Sequence, residues 1–130
     1  MKRTVMAVLG LVVLATPALA ADPDLVGTWV GERERIAANA DGYTKGPLTL
    51  SITKQEGRTF VGHLTRTYAD KDDAEDALWG AFTPDGNLMV GADAEGTYAF
   101  SLVDADTLDY CYMEAGATVR AVCARLMRSK

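Results

Sequence analysis

Leu25, Gly27, Trp29 and Gly31 fall on one face of a two-residue repeat, and Leu48, Leu50 and Ile52 alternate with Thr49, Ser51 and Thr53. That period belongs to a half-buried strand, whose successive side chains point to opposite faces. The repeat continues through Phe60, Gly62 and Leu64, through Leu78, Gly80 and Phe82, through Leu88 and Val90, through Tyr98, Phe100 and Leu102, and into two segments near the C-terminus. No stretch holds a 3.6-residue period for longer than three turns. The pattern therefore predicts an all-β chain of eight strands.

Turn formers punctuate these runs at Pro84-Asp85-Gly86-Asn87, Asp93-Ala94-Glu95-Gly96, Asp104-Ala105-Asp106 and Glu114-Ala115-Gly116-Ala117, each short enough for an antiparallel hairpin. Only two connections are long, 34 to 46 and 68 to 76. Eight antiparallel strands in one small domain must protect their edges, and closure into an up-and-down barrel does so most completely. An open two-sheet sandwich is the alternative.

The last hairpin fixes its own register if Cys111 faces Cys123. Asp109 then lies opposite Arg125, Glu114 opposite Arg120, Tyr112 opposite Val122 and Leu108 opposite Leu126. Two charge pairs and two apolar pairs follow from one assumption, and directly opposed residues in a ladder have the spacing a disulfide needs. A spacing of 12 is not Cys-x-x-Cys, so the expected role is a structural staple.

The first 20 residues follow a different pattern. Lys2 and Arg3 precede the apolar run Val5 to Ala15, and Thr16-Pro17-Ala18-Leu19-Ala20 places small residues where a signal peptidase reads them. The prediction is a secretory signal over 1–20, cut after Ala20, followed by a single domain over 21–130. An apolar run of about 11 residues, interrupted by Gly10, falls short of the ~20 that span a bilayer, and no later segment is long and apolar enough. No cysteine follows the cleavage site to carry a lipid. The expected location is a bacterial periplasm, with secretion past the outer membrane as the alternative, and no membrane span in the mature chain.

At 48% apolar residues the chain has material for a core rather than for disorder. It carries 13 Lys and Arg against 18 Asp and Glu, and without Lys2 and Arg3 the balance is 11 against 18, or −7. Such a surface repels phosphates, so nucleic acid is not an expected partner.

The sequence offers little catalytic chemistry. His63 is the single histidine and shares the outward face with Val61 and Thr65, so neither a nucleophile–histidine pair nor a zinc site is expected. The acidic run Asp70-Lys71-Asp72-Asp73-Ala74-Glu75-Asp76 lacks the glycine and the spaced last glutamate of an EF-hand loop and reads as a solvated loop. Nothing in their spacing selects two carboxylates for glycosidase chemistry, and the Gly27–Gly31 stretch opens no helix to hold a phosphate. We expect a non-enzymatic protein with no metal and no cofactor.

What remains is the barrel interior. Trp29, Phe60, Phe82, Tyr98, Phe100, Tyr110 and Tyr112 point inward on the alternation and either fill the core or line a site for a small, partly apolar ligand. The inward Gly27, Gly31, Gly62 and Gly80 leave space for one. Both long connections belong to the same end of an up-and-down barrel, which makes that end the expected mouth. Glu34, Arg35, Tyr43, Arg66, Tyr68, Glu114 and Arg120 are its candidate polar contacts. The competing expectation is a protein-interaction module, such as a periplasmic protease inhibitor or an envelope accessory protein, using rim loops over a solid interior.

Gly27-Thr28-Trp29 at the start of the first strand resembles the opening of the lipocalin, streptavidin and calycin group of barrels. The resemblance implies that Trp29 plugs the closed end with a C-terminal arginine, Arg125 or Arg128, packed over it. With only Trp29 and Trp79, the chain lacks streptavidin's set of binding-site tryptophans, and biotin binding is not implied. Gly-x-Trp, Trp79 and Thr83-Pro84-Asp85-Gly86 also resemble the small periplasmic inhibitors of secreted bacterial metalloproteases. That resemblance implies a blocking segment at Ala21-Asp22-Pro23-Asp24, although those inhibitors carry their disulfide nearer the N-terminal half.

Overall fold

Period-two alternation becomes eight strands: β1 (Gly27–Ala37), β2 (Tyr43–Glu56), β3 (Thr59–Arg66), β4 (Ala74–Phe82), β5 (Met89–Ala92), β6 (Thr97–Asp104), β7 (Thr107–Glu114) and β8 (Arg120–Arg128). This computed structural model describes residues 22–39 and 42–130; the segment read as an export signal, 1–20, lies outside the described residues. Each strand pairs antiparallel with the next, and β8 returns to pair with β1, closing an up-and-down barrel. No sheet edge is left, and the sandwich alternative falls. Among the described residues no helix is long and apolar enough to cross a membrane.

The connections are set by local chemistry. Thr83 Oγ1 accepts the Leu88 amide at 3.1 Å while Asp85 caps the Asn87 amide, which fixes the 83–88 turn around a left-handed Gly86. Asp93 Oδ1 accepts both the Glu95 and Gly96 amides and closes the β5–β6 turn.

Two expectations change. The long connection over 34 to 46 shrinks to 38–42, because β1 and β2 stay paired as far as Ile36 opposite Tyr43. Reading strands by apolar inward positions stops too early here, since the inward side chains are Arg33 and Arg35 and the apolar Ile36 faces out. In β5 the faces are reversed. Phe82 pairs with Met89, so Met89 and Gly91 point inward, while Leu88 and Val90 are exposed.

The β7–β8 register is the one expected from the cysteines. Asp109 pairs with Arg125, Glu114 with Arg120, Tyr112 with Val122 and Leu108 with Leu126. Cys111 and Cys123 face each other with Cα atoms 4.1 Å apart and their sulfurs at disulfide distance, on the outer wall.

One end of the barrel is stoppered. Trp29 is wholly buried, and its Nε1 donates to the Leu25 carbonyl at 3.0 Å. The Arg128 guanidinium lies 4.1 Å from the Trp29 ring centroid and donates to the carbonyls of Asp24, Val26 and Ala105. Gln55 completes the plug by accepting the Leu25 amide and donating to the Pro23 carbonyl. Of the two arginines the resemblance offered, Arg128 takes the position; Arg125 lies outside and pairs with Asp109 at 2.7 Å.

Inward glycines do not leave the lower interior empty. A Cβ at Gly80 would run into the Phe60 ring, and one at Gly31 into the Arg125 carbonyl. Phe60 packs edge-on against Phe82 and Phe100, with centroids 5.9 Å apart in both pairs, and occupies this half of the interior.

Candidate functional site

The aromatic column changes character as it rises. Phe82, Phe60 and Phe100 give way to Tyr98, Tyr110 and Tyr112, with Tyr98 stacked on Phe100 at 5.6 Å and tilted against Tyr112 at 4.7 Å. Rings near water carry hydroxyls, as buried tyrosines do when a polar partner is in reach. Tyr98 donates to Asp93 Oδ2 at 2.6 Å, and Tyr112 to Glu114 Oε2 at 2.9 Å. Burial drives all three phenols above their ordinary range; for Tyr98 and Tyr112 the bond to a carboxylate adds to the rise, and for Tyr110 the charges of Arg33 and Arg66 oppose it.

Above these rings the barrel opens into a cavity of about 540 Å³ at the end carrying the 38–42 and 67–73 connections. Its walls include Leu64 and Val122, the three tyrosines, Tyr68 from the second connection, and the cations Arg33, Arg35, Lys45, Arg66, Lys71 and Arg120; among the described residues Asp70 is its one acidic lining residue. An acidic protein has thus gathered six of its cations at one mouth.

Strand geometry explains how the arginines come to be there. Arg33 sits two residues beyond Gly31 on the inward face, between Gly46 of β2, which has no side chain, and Ala124 of β8, which has only a methyl group, and these leave a slot for it. It is only 3% exposed, and its Nε has no hydrogen-bond partner. Its guanidinium lies 5.2 Å from the centroid of Tyr68, whose ring also meets Lys71 at 4.2 Å. Arg66, at the end of β3, reaches Asp76 at 2.5 Å, and its Nε is likewise buried without a partner. Arg120 pairs with Glu114 at 3.0 Å, and Glu114 also accepts from Thr118. That ring of donors holds the Glu114 carboxyl below its ordinary range, the Thr118 hydroxyl contributing most.

Of the seven inward aromatics singled out by alternation, Tyr98, Tyr110 and Tyr112 reach the cavity, whereas Trp29, Phe60, Phe82 and Phe100 pack the stoppered half. Of the seven rim candidates, Arg35, Arg66, Tyr68 and Arg120 line the cavity. Glu34 and Tyr43 point outward, and Glu114 stands behind Arg120. Sequence reasoning missed Arg33 and Asp76. Extending the Leu25–Trp29 alternation by four residues finds the first, and the Leu78–Gly80 alternation run backwards by one step finds the second, so the signal was present. His63 lies on the outer face 3.8 Å from Glu75.

No family model matches this chain, and no curated protein does. Among solved structures, a redesigned β-barrel superimposes with a TM-score of 0.60 at 12% identity, over 82% of this chain and 92% of that one. A protein of unknown function from the DUF3598 family of Nostoc punctiforme superimposes with a TM-score of 0.56 at 14% identity, over 81% of this chain and 48% of its own. At these identities the likeness extends to the closed antiparallel β-barrel fold.

Proposed function

We propose that the protein is an exported, non-enzymatic barrel of lipocalin-like architecture that holds a small, partly apolar ligand in the open half of its interior. The observation that carries this reading is the cavity of about 540 Å³ resting on packed rings, within the volume range of small-molecule sites, with tyrosines, Leu64 and Val122 on its walls beside a cluster of cations. Trp29 beneath Arg128 supports the architectural part, since it meets the expectation raised by Gly27-Thr28-Trp29. Export rests on the pattern of 1–20.

The test is the mass of the protein recovered from its native cell envelope, recorded under native and then denaturing conditions. An added small mass that leaves on denaturation, and that Val122→Trp prevents by filling the cavity while the fold persists, is the expected result. A bare native mass for both forms rejects the carrier reading. The denatured mass also reports cleavage after Ala20.

A second reading, an interaction module, has one observation in its favour. Trp79 is 60% exposed on the outer wall, beside Val61 and Ala92 in the ladder and near the exposed Val90. Under that reading Trp79→Ala abolishes capture of a protein partner, and Val122→Trp does not.

A further inference from the structure

Among the described residues, the buried cations of the open half are not all matched by carboxylates. Arg66 has Asp76 and Arg120 has Glu114, but among the described residues no carboxylate pairs with Arg33, although it is the most deeply buried cation of the cavity. Lys45 is held by Glu32 at 2.8 Å on the outer rim, and Arg35 bonds Thr44. A guanidinium taken out of water without a counter-charge is costly to the fold, and such a group in a cleft marks a candidate site. Among the described residues, the one cation that is buried without a carboxylate partner is Arg33. Arginine presents its Nε and a terminal nitrogen as a fork matched to the two oxygens of a carboxylate, and the unpartnered Nε atoms of both Arg33 and Arg66 belong to residues lining the same cavity.

From this geometry we infer that the cavity selects a small organic monocarboxylate: its carboxylate is taken up by Arg33, with Arg66 as second donor, and its apolar or aromatic body lies against Tyr98, Tyr112, Leu64 and Val122. The inference rests on the ligand-carrier reading above and adds charge and head-group chemistry to it. One charge, rather than two, follows from Asp76 already neutralising Arg66. Tyr68, whose ring meets both Arg33 and Lys71, lies in the same cavity wall.

A matched pair of probes tests this: 2-naphthoate and its neutral isostere 2-naphthamide, titrated calorimetrically into the purified protein. The expected result is one-to-one binding of naphthoate, about tenfold or more tighter than naphthamide, because a charge-assisted hydrogen bond is lost with the amide. Arg33→Met should erase the difference between the two probes. The Nε–H resonances of Arg33 and Arg66 in the unmodified protein give a readout that needs no variant, and they should move with naphthoate alone. Equal binding of both probes overturns the carboxylate inference and leaves the cavity reading intact. Binding of neither overturns both. Discrimination that survives Arg33→Met in a folded protein removes Arg33 from the role.

Discussion

The two halves of this barrel share strands, register and alternation, yet their interiors are built on opposite rules. Below the level of Tyr110, Trp29, Phe60, Phe82, Phe100 and the surrounding leucines close on one another, and the terminal segments seal the end. Above it the same inward positions carry arginines and hydroxylated rings around open space. The difference teaches that stability and recognition are separated along the barrel axis. The buried apolar side chains of the lower half contribute the stability that offsets the cost of an unpaired buried charge in the upper half.

The strongest way to break that division is to attack the plug. Trp29→Ala removes the largest wholly buried side chain and should cost about 3–5 kcal/mol in urea unfolding. A loss below about 1 kcal/mol would mean the lower half is not the seat of stability. Replacing Cys111 and Cys123 together with serine comes next. Opening a staple across 12 residues should cost about 3 kcal/mol in the same assay. The cavity should be undisturbed, since both sulfurs lie on the outer wall.

In the upper half the sign reverses. Arg33→Met removes an uncompensated buried charge and keeps most of the volume, so unfolding free energy should stay level or rise by about 1 kcal/mol. A loss of about 3 kcal/mol would show that Arg33 supports the fold, and the division proposed here would fail. Glu114 sharpens the point at the smallest scale. Its folded value lies below the ordinary 4.5, so its contribution is complete above that pH and disappears as pH falls through the depressed value. Glu114→Gln should flatten the acid limb of the stability profile by less than about 1 kcal/mol. An unchanged limb would mean that Tyr112, Thr118 and Arg120 do not hold the carboxylate as their distances indicate.

The lower half was legible in the sequence because there inward and apolar coincide: Leu48, Leu50 and Ile52, or Leu78 and Phe82, announce both strand and core. The last hairpin was legible for a second reason, since its cysteines, charges and apolar residues all agree on one register. Legibility ends where the interior turns polar. Arg33 obeys the alternation begun at Leu25, but a reader looking for apolar positions ends β1 before reaching it and takes Glu34 and Tyr43 for the rim. Asp76 is hidden within an acidic run whose other members face water. β5 fails differently: Leu88, Met89 and Val90 are all apolar, so hydrophobicity cannot choose a face, and only the length of the 83–88 turn sets Met89 against Phe82.

The seam between β1 and β8 governs how the molecule comes into being. Arg128 holds Val26 and Asp24 from 102 and 104 residues away, and Trp29 is covered only once it does. A chain emerging from its N-terminus therefore carries its first strand and its tryptophan unmatched until the final strand is free. No prefix that stops short of β8 contains a closed barrel, so closure is a late event that waits on that strand.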